Sequence, residues 1–135
     1  MNDWVHDQDV YYSEINAPEI NDDILKYGYF ITYINTGTQD NPVYVELPQT
    51  QVYTDKNGVT YSLEFYPTYK YGKVRIEYFD THPIEQLPPQ RDYSFRTVIV
   101  SDPYVRNAIM ENKIGRDYNS VMKAIENKDK IMKVE

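Results

Sequence analysis

The sequence predicts an all-β fold: a seven- or eight-stranded antiparallel β-sandwich with a short helical turn near residues 21–27 and a C-terminal helix. Three observations predict it. Short alternating runs of apolar and polar residues recur through the first hundred or so positions, each closed by a proline, glycine or asparagine. Tyrosine occurs 15 times against 4 phenylalanines and 1 tryptophan, and its ring suits a pleated surface that is apolar at one end and wet at the other. Asn57-Gly58 stands between two β-prone runs, the strongest hairpin signal in the chain, because both residues tolerate positive φ.

In chain order, Trp4-Val5-His6 reads as a short edge strand. Residues 10–17 follow as a strand with Tyr11, Ser13 and Ile15 on one face and Val10, Tyr12 and Glu14 on the other; Pro18 closes it. Asn21 or Asp22 caps a helical turn that Ile24 and Leu25 anchor, with Gly28 as a left-handed stop. Residues 29–34 are apolar on both faces, which predicts a central strand. Residues 42–47 alternate up to Pro48. The hairpin comprises residues 51–54 and 59–66, with Val59, Tyr61, Leu63 and Phe65 facing one way. Residues 67–72 turn the chain into a strand at 73–79, where Val74, Ile76 and Tyr78 point inward. A proline-rich loop over 80–90 leads to the last strand, 92–101, in which Val98-Ile99-Val100 also reads as central.

Beyond Asp102 the pattern turns helical. Asp102-Pro103 starts a weak helix through Tyr104, Ala108 and Ile109, and Gly115 breaks it. Asp117 then caps a helix with Tyr118, Val121, Met122 and Ile125 on one face. The expected organisation is one domain, with residues 1–102 as the sandwich body and 103–135 as a helical extension packed on it.

Charge narrows the partners. The net charge is −7, and it divides unevenly: residues 1–102 hold seven cationic and sixteen acidic side chains, residues 103–135 seven and five. An acidic body disfavours nucleic acid and anionic lipid. No cysteine is present, so thiolate metal sites and disulfides are excluded. No run is long enough for a membrane span.

Few residues invite chemistry. Asp3, His6, Asp7 and Asp9 offer ligands for a divalent cation, but strand alternation sends His6 and Asp7 to opposite faces, so no metal is expected. His82 falls in a loop and is expected to be solvated. Asp22-Asp23 fits the positive end of a helical turn. Nothing resembles a nucleophile elbow or a phosphate loop, and no cofactor is implied. The candidate ligand-binding residues are Tyr66, Tyr69 and Tyr71, placed with Lys70 and Lys73 about a turn, where exposed rings stack on sugars or contact a protein.

An ordered series of residues also resembles a known family. Trp4, Tyr11-Tyr12, Pro18, Ile20, Ile24-Leu25, Gly28, Tyr33, Leu47-Pro48, Arg96, Val98-Ile99-Val100, Asp117-Tyr118 and Val121 are similar to the pattern of small exported or lipid-anchored domains of Gram-negative gut bacteria, among them hypothetical and collagen-like lipoproteins. The match spans most of residues 4–125 and consists of packing and turn positions. The chain departs from it in its helical 102–116 segment and in lacking a lipid-attachment cysteine. The resemblance implies a β-sandwich outside the cytoplasm, with the export signal outside this sequence. The expected function is a non-enzymatic surface interaction or accessory module whose partner is a protein or glycan at the cell envelope; the alternative is a carbohydrate-binding domain that uses loop tyrosines.

Overall fold

The computed structural model describes residues 4–8, 10–90 and 92–134, with side chains through Glu126. The fold is all-β: the described residues form eight strands in two antiparallel sheets, as a β-sandwich requires, with three helices. The chain forms two compact units that interleave in sequence. One comprises the chain up to Leu25 together with Leu47–Ser94, and the other Lys26–Glu46 together with Phe95 onward.

The first unit holds the five-stranded sheet, ordered β1-β2-β7-β6-β5. Its strands are β1 (Val5–Asp7), β2 (Val10–Asn16), β5 (Gln49–Thr54), β6 (Thr60–Lys70) and β7 (Lys73–Asp80). The predicted alternation holds. Ser13, Phe65, Val74, Ile76 and Tyr78 are all buried on one face, while Arg75 and Glu77 lie on the other. Phe65 is flanked edge-on by Tyr93, at 4.9 Å between ring centres, and by a tilted Tyr78 at 5.0 Å. Asp55 organises the β5–β6 hairpin by accepting the backbone N–H groups of Asn57 and Val59, both at 2.9 Å.

Three features here depart from expectation. β6 does not stop at residue 66 but runs through Pro67 to Lys70. Pairing with β5 ends at Gln49↔Phe65, so Pro67 sits where β6 has β7 alone beside it, an edge position that has no use for the missing N–H. The turn is thereby reduced to Tyr71-Gly72, with Gly72 at φ 72°. In α1 (Asp22–Tyr27), Asn21 caps by accepting the Ile24 N–H at 2.9 Å, but the helix buries no residue. The apolar anchor is Ile20, fully buried just before it. Gly28 is not among the positive-φ glycines, because the chain passes straight from α1 into an extended strand.

The second unit holds the three-stranded sheet β4-β3-β8, formed by β3 (Tyr29–Asn35), β4 (Tyr44–Glu46) and β8 (Phe95–Val100). β3 is central and buried on both faces, as predicted. β8 is not central but ends the sheet. Its apolar character reflects packing on its face: Val98 and Val100 join Ile31 and Tyr33 beneath Val105 and Ile109 of α2 (Pro103–Met110) and Val121 of α3 (Tyr118–Val134). Asp102 caps α2 through the N–H groups of Tyr104 and Val105. The buried stripe of α2 is Val105 and Ile109, and Tyr104 is exposed. In α3, Val121 is fully buried with Tyr118, Ala124 and Ile125 packed beside it, while Met122 is exposed. Asp117 caps this helix through Ser120, whose N–H and hydroxyl hold the carboxyl below the usual carboxylate range. No helix among the described residues is long and apolar enough to cross a membrane.

Candidate functional site

The three tyrosines predicted to form a patch are separated. Tyr66 and Tyr69 both lie on β6, but an odd spacing along a strand puts them on opposite faces. Tyr66 pairs with Glu77 on the polar face, Tyr69 pairs with buried Val74, and Tyr71 is exposed in the turn. The misplacement follows from reading Pro67 as the end of the strand.

Tyr66 instead belongs to a different group, brought together by β6 and β7. The register sets Glu64 opposite Phe79, Tyr66 opposite Glu77 and Thr68 opposite Arg75, all on the face away from Phe65 and Ile76. Tyr66 meets Phe79 edge to face at 5.5 Å. Its hydroxyl donates to Glu64 Oε1 at 2.6 Å, which raises the phenol above its ordinary pKa. The other oxygen of Glu64 accepts the Ser62 hydroxyl at 3.1 Å. Glu64, Tyr66, Thr68, Glu77 and Phe79, with Pro67 and Thr81, line an open depression of about 490 Å³. Beside it, the Arg75 guanidinium stacks 3.5 Å over the Tyr12 ring and lies 3.8 Å from Glu77. Phe79 was not singled out from the sequence. Its signal was parity: it shares the polar face of β7 with Arg75 and Glu77, and an aromatic there is out of place.

A second depression, of about 450 Å³, involves His6, Asp80 and His82. His82 is not a solvated loop residue. Its Nε2 donates to Asp55 Oδ2 at 2.9 Å, and Nδ1 accepts the N–H groups of Ile84 and Glu85 at 3.2 and 3.3 Å. That bond, with those from Val59 and Asn57, holds the Asp55 carboxyl below its ordinary range. With both ring nitrogens engaged, His82 ties the 80–90 loop to the hairpin. His6 lies on β1 stacked on Tyr11 at 4.4 Å, and Asp3 and Asp9 lie outside the described residues. Among the described residues no three His, Asp or Glu side chains converge as metal ligands.

The second unit gathers a tyrosine–arginine cluster. Arg96 stacks on Tyr44 and Tyr118, at 5.1 and 5.7 Å, and donates to the Tyr118 hydroxyl at 2.7 Å. Arg116 grips both oxygens of Glu46 and the Tyr29 hydroxyl, which raises its already high pKa. The Arg116 carbonyl accepts the buried Tyr33 hydroxyl at 2.6 Å. These groups satisfy one another and fasten the start of α3 to β3 and β4.

No family model, curated protein or solved structure matches this chain. The functional case therefore rests on geometry. Of the three groupings, the Tyr66–Phe79 depression sets an open aromatic surface beside two carboxylates, Glu64 and Glu77. Aromatic faces take the C–H side of a sugar ring, and carboxylates accept its hydroxyls.

Proposed function

We propose that the protein is a non-enzymatic binding module acting outside the cytoplasm, a surface interaction or accessory domain of the cell envelope, and that the ligand taken on the open face of the five-stranded sheet is a carbohydrate. The observation that carries this is the Tyr66–Phe79 depression with Glu64 and Glu77 in its lining. Tyr66 is fixed by its bond to Glu64, so binding costs little side-chain ordering. Two carboxylates disfavour uronates and other anionic sugars, which leaves neutral or amine-bearing residues as the ligand class. The non-enzymatic part is supported by His82, whose nitrogens are both occupied, and the location by the family resemblance described above.

Glycan-array binding followed by titration calorimetry tests this reading. The parent should retain a neutral or amino-sugar polymer. Tyr66→Ala and Phe79→Ala should each weaken it about tenfold, the equivalent of about 1.4 kcal/mol, while Tyr71→Ala leaves binding unchanged. Silence across the array, or equal affinity for Tyr66→Ala and the parent, would sink the carbohydrate assignment. Release of product from the retained polymer would overturn the non-enzymatic one.

A further inference from the structure

The two sheets have four edge strands, and they are not alike. β1 carries Asp7 and spans three residues, β4 carries Glu46 and also spans three, and β8 carries Arg96. Short length and inward or edge charges are how sheets avoid pairing with other chains. β5 has neither device. It is six residues long, Gln49-Thr50-Gln51-Val52-Tyr53-Thr54, without a charge or a proline. Val52 is 68% exposed and Tyr53 41%.

The backbone of β5 can be oriented from its partner. Ser62 receives the Thr81 N–H on its carbonyl at 3.0 Å and donates its own N–H to Thr81 Oγ1 at 2.7 Å, so its peptide groups face away from β5. Ser62 is the register partner of Val52, and the groups of Val52 therefore point to the free side as well. By alternation the same holds for Thr50 and Thr54. Among the described residues no backbone group pairs with these three on that side.

We infer that β5 is a self-pairing edge at which a second copy of this chain adds antiparallel across a two-fold axis through Val52. A two-fold perpendicular to the sheet keeps each face on its own side, so opposed residues must share parity. Centring on Val52 sets Val52 against Val52 and Thr50 against Thr54 of the other copy, and every outward N–H and C=O of the strand finds a partner. Centring on Gln51 runs the strand into Pro48 and wastes part of the edge. A chain of net charge −7 repels its own copies, and β5 brings no charged side chain of its own to the contact. Val–Val and Thr–Thr are both favourable cross-strand pairs. The result is one continuous sheet with both open faces on the same side, which makes the assembly bivalent whatever ligand that face takes.

Sedimentation equilibrium over a wide concentration range tests it. The parent should approach twice the 16.0 kDa chain mass. Val52→Lys, which opposes two charges on the axis, should sediment as a single chain with an unchanged circular dichroism spectrum. Val43→Lys, at a position also exposed but outside β5 and on the other unit, should behave as the parent. Because the chain has no cysteine, Val52→Cys should oxidise to a covalent dimer, since hydrogen-bonded antiparallel pairs lie about 5.5 Å apart at Cα, within disulfide reach. A parent that stays a single chain at the highest soluble concentration overturns the inference. So does a dimer that Val52→Lys leaves intact, and so does a parent that pairs β5 only with a foreign peptide.

Discussion

Raising the pH should unfold this protein through two tyrosines, one in each unit. Tyr33 is fully buried and donates to the Arg116 carbonyl; Tyr78 is 2% exposed. Burial pushes both phenols well above their ordinary value, and the nearby carboxylates of Glu46 and Asp117 for Tyr33, and of Asp80 for Tyr78, push the same way. The unfolded chain releases these protons near pH 10, and the folded chain retains them. The stabilisation is therefore complete below pH 10 and is lost as pH rises beyond it. Each group contributes a slope of about 1.4 kcal/mol per pH unit, so the two together remove about 3 kcal/mol per unit. A domain of ordinary stability, about 5–15 kcal/mol, is exhausted within a few units at that slope. Tyrosinate absorbance and far-ultraviolet circular dichroism should be followed together in an alkaline titration. The tyrosinate signal of Tyr33 and Tyr78 should appear only as the dichroism collapses. Tyr33→Phe should lose about 1 kcal/mol at neutral pH with its hydrogen bond, yet show roughly half the alkaline slope. A single ionisation step for every tyrosine with the fold intact would refute the reasoning, as would an unchanged slope in Tyr33→Phe.

Two further perturbations separate causes that look alike in sequence. Gly72→Ala meets no atom within 4 Å, so its cost is conformational alone, about 1–2 kcal/mol for an L-residue at φ 72°. Gly37→Ala would place a Cβ 2.3 Å from the Asn41 carbonyl oxygen and 2.9 Å from the Val43 nitrogen, both backbone, so urea unfolding should show the larger loss there. Equal losses would contradict that distinction. The Asp55 carboxyl is held below its ordinary range, first by His82 and then by the Val59 and Asn57 amides. Its contribution is thus present above about pH 4 and is lost as pH falls through the lowered value. Asp55→Asn should flatten the fall in melting temperature between neutral pH and about pH 2; an unaltered fall would show that the carboxyl does not hold the hairpin.

Strand alternation carried most of the fold into the sequence, since it needs only parity. Val74, Ile76 and Tyr78 faced the core as their spacing required, and Asp55-Lys56-Asn57-Gly58 formed its hairpin turn. What parity cannot encode is which strand lies beside which. Val98-Ile99-Val100 is apolar on both faces, yet it ends its sheet, because α2 and α3 cover one face. Pro67 misled for the same reason. A proline forbids a ladder bond only where a neighbour exists to receive it, and β5 ends before reaching it. That one boundary decided the site, since ending the strand at residue 66 groups Tyr66 with Tyr69 and Tyr71, whereas continuing it groups Tyr66 with Phe79. His82 was illegible outright, since its partner Asp55 stands 27 residues away on the hairpin.

The preference for tyrosine over phenylalanine has a cause visible in the hydrogen bonds. Tyr33 reaches the Arg116 carbonyl, Tyr29 and Tyr118 receive Arg116 and Arg96, and Tyr53 holds Gln51. In units this small, a ring rooted in the core extends to the boundary, where its hydroxyl meets a polar group that phenylalanine would leave unmatched. Tyr66 uses the same chemistry in the opposite place. Its ring is on the open face, and its hydroxyl is tied to a carboxylate on that face rather than to the interior. A phenol anchored in this way adds little to the core, yet it is held in a fixed orientation beside Phe79. Rigidity without burial is of use to a ligand and of little use to the fold, which is why Tyr66, among the tyrosines of this chain, is the one whose substitution should separate binding from stability.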